Sequence, residues 1–318
     1  MQVMATLGFV FPGQGSQTVG MLSAIAEQHA VVKEVFVQAS DALGYDMWSL
    51  ASDGPQERMN LTQYTQPLLL TASVALWRVW QQQTDIRPAF LSGHSLGEFS
   101  ALVCAESLAF VDAVRLVQSR GEFMQRAVPV GEGAMAAVIG LDDDSVNACC
   151  EQAAGHECVQ AVNYNSPGQV VIAGHAKAVE RAGDLLKKAG AKKVVPLAVS
   201  APFHTDLMKP AGEQLCEQLN RLTVREPVIP VVHNVHAQTE SHPDAIKALL
   251  VQQIAKPVRW TACVRYMIDN GVSVMIECGA GKVLTGLGRR IDKTLTSHVI
   301  ESPDGLQQAI DALGNVSN

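Results

Sequence analysis

Phe90-Leu91-Ser92-Gly93-His94-Ser95-Leu96-Gly97-Glu98-Phe99 decides how this chain is read. It contains Gly93-x-Ser95-x-Gly97, the pattern of a nucleophile elbow. The apolar approach Pro88-Ala89-Phe90-Leu91 has the character of a buried strand, and Glu98-Phe99-Ser100-Ala101-Leu102-Val103 is compatible with a helix. In such a corner the serine sits on a tight turn with its hydroxyl exposed, and the flanking glycines leave room for close neighbouring chain. The helix N-terminus then faces the reacting centre and favours negative charge there. The pattern also arises by chance, so its weight comes from the strand before it and the helix after it.

Upstream, Leu7-Gly8-Phe9-Val10-Phe11 reads as a short buried strand ending in Pro12-Gly13-Gln14-Gly15-Ser16-Gln17. That loop is either an ordinary strand exit or a ligand-facing turn of backbone N–H groups. It is not a dinucleotide fingerprint, because Thr18 stands where the third glycine belongs. Residues 22–45 read as one or two helices and 51–66 as a polar loop. Gln66-Pro67 is expected to open an apolar helix over Leu68–Trp80, with the proline in its first turn. A second helix is expected over Val111–Val128.

From Gly131 the character changes. Ala134–Leu141 reads as a strand, Asp142-Asp143-Asp144-Ser145 supplies caps for a helix through Ala154, and Val159–Asn163 and Gln169–Ala173 are strands joined by Asn165-Ser166-Pro167-Gly168. A helix His175–Ala189 ends at Gly190, and Lys193–Val199 is a last strand. The order β-α-β-β-α-β is that of a ferredoxin-like unit. The expected fold class is therefore α/β: a large α/β-hydrolase-like domain with a mostly parallel sheet, residues 1–130 and 200–318, carrying a small inserted ferredoxin-like domain, residues 131–199. The large domain resumes at Ser200-Ala201-Pro202-Phe203-His204. A helix over Leu207–Leu222, a strand over Pro227–Val232, a helix over Leu249–Ile254 and a strand over Val272–Glu277 follow. Gly279-Ala280-Gly281-Lys282 imitates a phosphate loop but lacks its hydroxyl residue, since Val283 follows the lysine.

Composition narrows the class. The 318 residues allow a large core, and 47% hydrophobic with 17% charged residues is ordinary for a globular enzyme. A net charge of −7 argues against nucleic acid as a partner. No apolar run reaches spanning length, so no membrane association is expected, and no basic residue precedes Lys33, as a secretory signal would require. Seven scattered cysteines suggest neither a disulfide framework nor a metal site, which favours a cytoplasmic protein.

A serine nucleophile needs a base. Among nine histidines, His94 adjoins the serine but is expected to point elsewhere, while His29, His156, His175 and His242 fall in helices or polar loops. His233 and His236 follow a strand and remain possible. His204 stands out, in an apolar, proline-marked loop where the chain re-enters the large domain. No aspartate can be assigned as a third member, and a dyad oriented by a backbone carbonyl is equally permitted. On a helical wheel of about 100° per residue, Ala113, Leu116, Val117, Phe123 and Met124 form one face, and Arg120 falls in its middle. A guanidinium there needs an anion: an internal carboxylate, or a substrate carboxylate held by a bidentate clamp.

Five separated motifs then occur in order: Gly13-Gln14-Gly15-Ser16-Gln17, Gly93-His94-Ser95-Leu96-Gly97-Glu98, Arg120 within Ser119–Gln125, Asn163-x-Asn165-Ser166-Pro167-Gly168-Gln169, and Pro202-Phe203-His204. Together they resemble the malonyl-CoA:acyl-carrier-protein transacylases of bacterial fatty-acid synthesis, over nearly the whole chain. The resemblance implies ping-pong transfer of a malonyl group from malonyl-CoA to the phosphopantetheine thiol of acyl carrier protein, through an ester on Ser95 deprotonated by His204. It implies an oxyanion hole of the Gln14 and Leu96 N–H groups, each worth about 3 kcal/mol to the barrier. It implies that Arg120 holds the free carboxylate and that the Gln253 carbonyl orients His204. Malonyl-CoA and the carrier's phosphopantetheine are then substrates, no bound cofactor is expected, the carrier is a transient partner, and the enzyme is expected to be a monomer. Phe203 departs from the serine found in many stand-alone members and fits a pocket too small for an α-methyl branch. An acidic carrier would need a basic patch; Lys187, Lys188, Lys192 and Lys193, or Lys282, Arg289 and Arg290, are candidates. A serine thioesterase or carboxylesterase, the malonyl-transfer subunit of malonate decarboxylase, and a non-catalytic binding module are the competing readings.

Overall fold

The computed structural model describes residues 6–199 and 201–314, so Ser200, where the large domain was expected to resume, lies outside the described residues. Among the described residues nine strands form two sheets: β1 (Thr6–Phe11), β2 (Phe90–Gly93), β3 (Gly133–Ile139), β4 (Val159–Ser166), β5 (Gln169–His175), β6 (Lys193–Pro196), β7 (Val231–Val232), β8 (Val272–Glu277) and β9 (Thr296–Val299). The first sheet has the order β7-β2-β1-β8-β9, and every pairing in it is parallel. Such a sheet is covered on both faces, which explains why β1 is apolar and buried from Leu7 to Phe11. Leu7, Phe9 and Phe11 point into one core cluster, where Phe9 meets Trp77 and Trp80 edge-on at 5.2 and 5.1 Å. Val10 points into the other, with Trp260, Met275 and Leu284.

The second sheet is antiparallel, in the order β4-β5-β3-β6, with a core of its own beneath the helices Asp143–Ala154 and Ala176–Lys188. This is the ferredoxin-like arrangement. Asp142 caps the first helix, accepting the Ser145 N–H at 2.8 Å. The small sheet docks on the large unit through Tyr164 N–H to the Val258 carbonyl at 3.0 Å and Val258 N–H to Val162 at 2.8 Å.

Several expectations need correction. The segment 51–66 is not a polar loop: it holds the end of helix Met47–Asp53, helix Gln56–Met59 and the start of helix Thr62–Gln83. Burial of Met47, Leu50, Ala51 and Met59 decides this against local polarity. The long helix opens at Thr62, not at Gln66-Pro67, and Pro67 lies inside it. The proline removes one backbone bond, and near-continuous burial of the helix outweighs that loss. The strand expected over Pro227–Val232 shrinks to Val231–Val232, since Pro227 and Pro230 have no N–H to give. The strand expected over Lys193–Val199 ends at Pro196, and residues 197–199 turn toward the site. The expected helix Leu207–Leu222 is a 3-10 turn, Asp206–Met208, followed by a helix over Lys209–Leu219. The helix expected from Leu249 begins at Pro243, and β9 and helix Pro303–Gly314 were not foreseen. Among the described residues, no helix is long and apolar enough to cross a membrane.

The elbow packs against the end of β1 with no space to spare. A Cβ on Gly97 would lie 2.0 Å from the Phe11 carbonyl oxygen, and one on Gly93 would lie 1.9 Å from the Gly97 carbonyl carbon. Both obstacles are backbone and cannot swing away. Gly97→Ala is therefore expected to cost about 3 kcal/mol or more, read as a lower midpoint of chemical unfolding. An unchanged midpoint would show that the corner can relax.

Candidate active site

The site lies at the carboxyl ends of β1 and β2, where the loop Pro12–Gln17 and the elbow emerge side by side. Ser95 lies past the end of β2, after His94, and immediately precedes helix Leu96–Cys104, with φ 53° and ψ −107°. That conformation is strained for a side chain with a Cβ, at about 1–3 kcal/mol. Asn234 holds it: its Oδ1 accepts the Ser95 N–H at 2.8 Å and its Nδ2 donates to the Gly93 carbonyl at 2.8 Å.

The structure brings Ser95 and His204 together, with Ser95 Oγ 2.8 Å from His204 Nε2. His204 is buried, also has a positive φ of 64°, and donates its Nδ1 proton to the Gln253 carbonyl at 2.7 Å. A carbonyl can only accept, so Nδ1 carries the proton and Nε2 is left to accept from the serine hydroxyl. Burial pushes the imidazole down to about 3, and the Arg120 cation adds to the shift. His204 is thus neutral, as a base must be.

Arg120 is 1% exposed on helix Phe110–Arg126. Its Nη1 donates to Gln66 Oε1 at 2.8 Å, and Nη2 donates to Gln253 Oε1 at 2.9 Å and to Ser95 Oγ at 3.2 Å. The guanidinium stacks over Phe99 at 5.2 Å. Among the described residues, no carboxylate forms an ion pair with it. Burial lowers its pKa to about 10, with Glu98 acting in the opposite sense, so it stays charged. A buried cation aimed at a nucleophile, with no ion-paired anion, is fitted to an anionic substrate group.

Behind these residues lies a network that sequence reasoning missed. Glu98, fully buried, accepts from Gln253 Nε2 at 2.8 Å, Asn234 N–H at 3.0 Å and His233 Nδ1 at 2.8 Å. Gln253 Nε2 also donates to the Ser95 carbonyl at 2.9 Å. His233 therefore serves the elbow through Glu98 and does not approach the serine hydroxyl. The only advance sign of this network was the position of Glu98, one residue past the elbow motif.

A cavity of about 540 Å³ opens on these groups, lined by Gln14, Leu96, Arg120, Met135, Asn163 and Leu197 among others. Phe203 closes part of its wall. His94, expected to point elsewhere, also lines it, with its Nε2 2.8 Å from Asn165 Oδ1 of β4. Leu96 begins its helix, so its N–H has no intrahelical acceptor. Gln14 lines the same cavity, with its side-chain Nε2 donating to Thr62 Oγ1 at 3.2 Å. The Gly279–Lys282 turn is no phosphate site: Glu277 already accepts the Leu284 and Thr285 N–H groups, at 3.0 and 2.7 Å.

A family model described as acyl transferase domain matches residues 8–302. Malonyl CoA-acyl carrier protein transacylase of Escherichia coli (strain K12) is 56% identical over 308 residues, 97% of this chain and 100% of its own. The enzyme of the same description from Bacillus subtilis (strain 168) is 42% identical over 311 residues, 98% of each. Among solved structures, an acyl carrier protein S-malonyltransferase from Vibrio cholerae superposes with a TM-score of 0.95 at 54% identity, covering 96% of this chain and 100% of that one. A malonyl-transacylase in complex with a type II PKS acyl-carrier protein gives 0.96 at 49% identity, covering 97% and 100%. The chain belongs to the acyl transferase domain family, among its malonyl CoA-acyl carrier protein transacylases.

Proposed function

We propose that the chain is an [acyl-carrier-protein] S-malonyltransferase that moves a malonyl group from malonyl-CoA to the phosphopantetheine thiol of acyl carrier protein, feeding fatty-acid synthesis. The observation that carries this reading is Arg120, a buried cation without an ion-paired anion, 3.2 Å from the Ser95 hydroxyl. Ser95 Oγ gives its proton to His204 Nε2 and attacks the thioester carbonyl. The negative charge that develops on the carbonyl oxygen is met by the Leu96 and Gln14 N–H groups. The C–S bond breaks, and CoA leaves with the proton from His204. The carrier's thiol then gives its proton to His204 and takes the malonyl group from the ester, and His204 returns that proton to Ser95 Oγ as the ester bond breaks. Gln253 fixes the base through its carbonyl, and Phe203 narrows the chamber beside it. No cofactor is required, because the acyl group is already activated as a thioester. The enzyme acts as a monomer that meets the carrier transiently.

Brief mixing with malonyl-CoA and no acceptor is expected to add one malonyl group to the intact protein, and Ser95→Ala is expected to abolish it. Immediate release of free malonate without an adduct would identify a hydrolase instead. In Arg120→Ala, malonyl transfer should fall at least about a hundredfold, the scale of a lost charge-assisted contact in the transition state, while acetyl transfer falls less or rises. Equal losses for both acyl groups would make Arg120 a structural cation only. Since His204 is held down to about 3, it is unprotonated across the ordinary range. The value of kcat/KM, which reports groups of the free enzyme, should therefore stay within about twofold between about pH 5 and about pH 7. An acid limb centred near the ordinary histidine value would contradict the burial of the base.

A further inference from the structure

Arg120 does more in this structure than wait for an anion. A guanidinium has five N–H protons: one on Nε and two on each Nη. Both Nη2 protons are engaged, by Gln253 Oε1 at 2.9 Å and Ser95 Oγ at 3.2 Å, and Nη1 gives one to Gln66 at 2.8 Å. Nε is buried and donates to nothing. The Nε–Nη2 edge is one of the two edges that a carboxylate can meet with two parallel bonds, and it is the one with an unused donor here. One donor on that edge is thus unmatched, and the Nη2 beside it is shared between the nucleophile and Gln253.

Of the two acceptors on Nη2, Gln253 is the fixed one. Its amide nitrogen is already committed to the Ser95 carbonyl at 2.9 Å and to Glu98 at 2.8 Å, so it cannot turn without breaking both. The serine contact is the longest of Arg120's three, and the hydroxyl turns about a single bond. Ser95 is the partner that yields. While it does not, a cation draws on the oxygen lone pair that must attack, and the same cation opposes protonation of His204, against the Gln253 and Lys256 backbone contacts that favour it.

We propose that Arg120 restrains Ser95 until the carboxylate of the incoming acyl group takes over the Nε–Nη2 edge, so that the group that is recognised also releases the nucleophile. The inference rests on the malonyl-transfer reading. It makes discrimination against neutral acyl groups a matter of serine reactivity as well as of binding. Once released, Ser95 Oγ gives its proton to His204 Nε2 and its lone pair forms the ester bond. The electrons of the C–S bond leave on sulfur, which takes the proton back from His204.

The test supplies the malonyl group in two pieces, acetyl-CoA and formate. Acetylation of Ser95 is followed by rapid quenching and intact mass, with chloride at matched ionic strength as the reference. Formate is expected to accelerate acetylation of the unaltered enzyme about tenfold. In Arg120→Ala, acetylation should be faster than in the unaltered enzyme without formate, and insensitive to formate. Acetylation that formate leaves unchanged or slows in the unaltered enzyme overturns the proposal, and this arm needs no variant to fold. Malonyl-CoA is run in parallel. Absence of a malonyl adduct defeats the functional reading, whereas a malonyl adduct with formate-insensitive acetylation defeats the restraint alone.

Discussion

The left-handed backbone at Ser95 is the constraint on which the site depends. A residue with a Cβ does not rest there unless its surroundings over-determine it. Here the surroundings are the Phe11 carbonyl packed against Gly97, and Asn234 bridging the Ser95 N–H and the Gly93 carbonyl. The same turn aims the serine hydroxyl out of the sheet and places the first N–H of helix Leu96–Cys104 beside it. His204 is also left-handed, so both partners of the 2.8 Å contact are held by packing.

Gln253 couples the parts. Its carbonyl sets the histidine tautomer, its amide oxygen meets Arg120, and its amide nitrogen reaches the elbow carbonyl and Glu98. This one residue, the last of helix Pro243–Gln253, thereby ties His204, Arg120 and Ser95 to a common buried carboxylate. Low polarity around this network strengthens each bond in it and makes any unmatched member costly. A neutral His204 and a charged Arg120 coexist because burial and the cation itself hold the imidazole down, while Glu98 supports the charge on the guanidinium.

The sequence was most legible where chemistry is local. Alternation and apolar runs marked β1, β2 and β8, and the wheel position of Arg120 gave its burial. The β-α-β-β-α-β order announced the small sheet, because each of its elements carries its own turn or cap, such as Asp142. Reading failed where tertiary burial overrode local signals. Met59 and Ala51 look like residues of a polar loop until the core covers them, and Pro67 looks like a helix start until a buried helix runs past it. The partnership of His204 with Ser95 came from family resemblance, since nothing local sets two residues 109 positions apart at contact distance. The Glu98–Asn234–His233 cluster was hidden for the same reason.

The two walls of the cavity come from different sheets. Ser95, His204 and Arg120 stand on the parallel unit. Met135 and Asn163 project from the antiparallel one, and Leu197–Val199 leave its last strand. Reaction and fit are therefore separable in inheritance. Substitutions along the antiparallel wall can reshape the space above the serine without disturbing the hydrogen bonds that make it reactive. A fold divided in this way can change its choice of acyl chain while keeping one unaltered chemical engine.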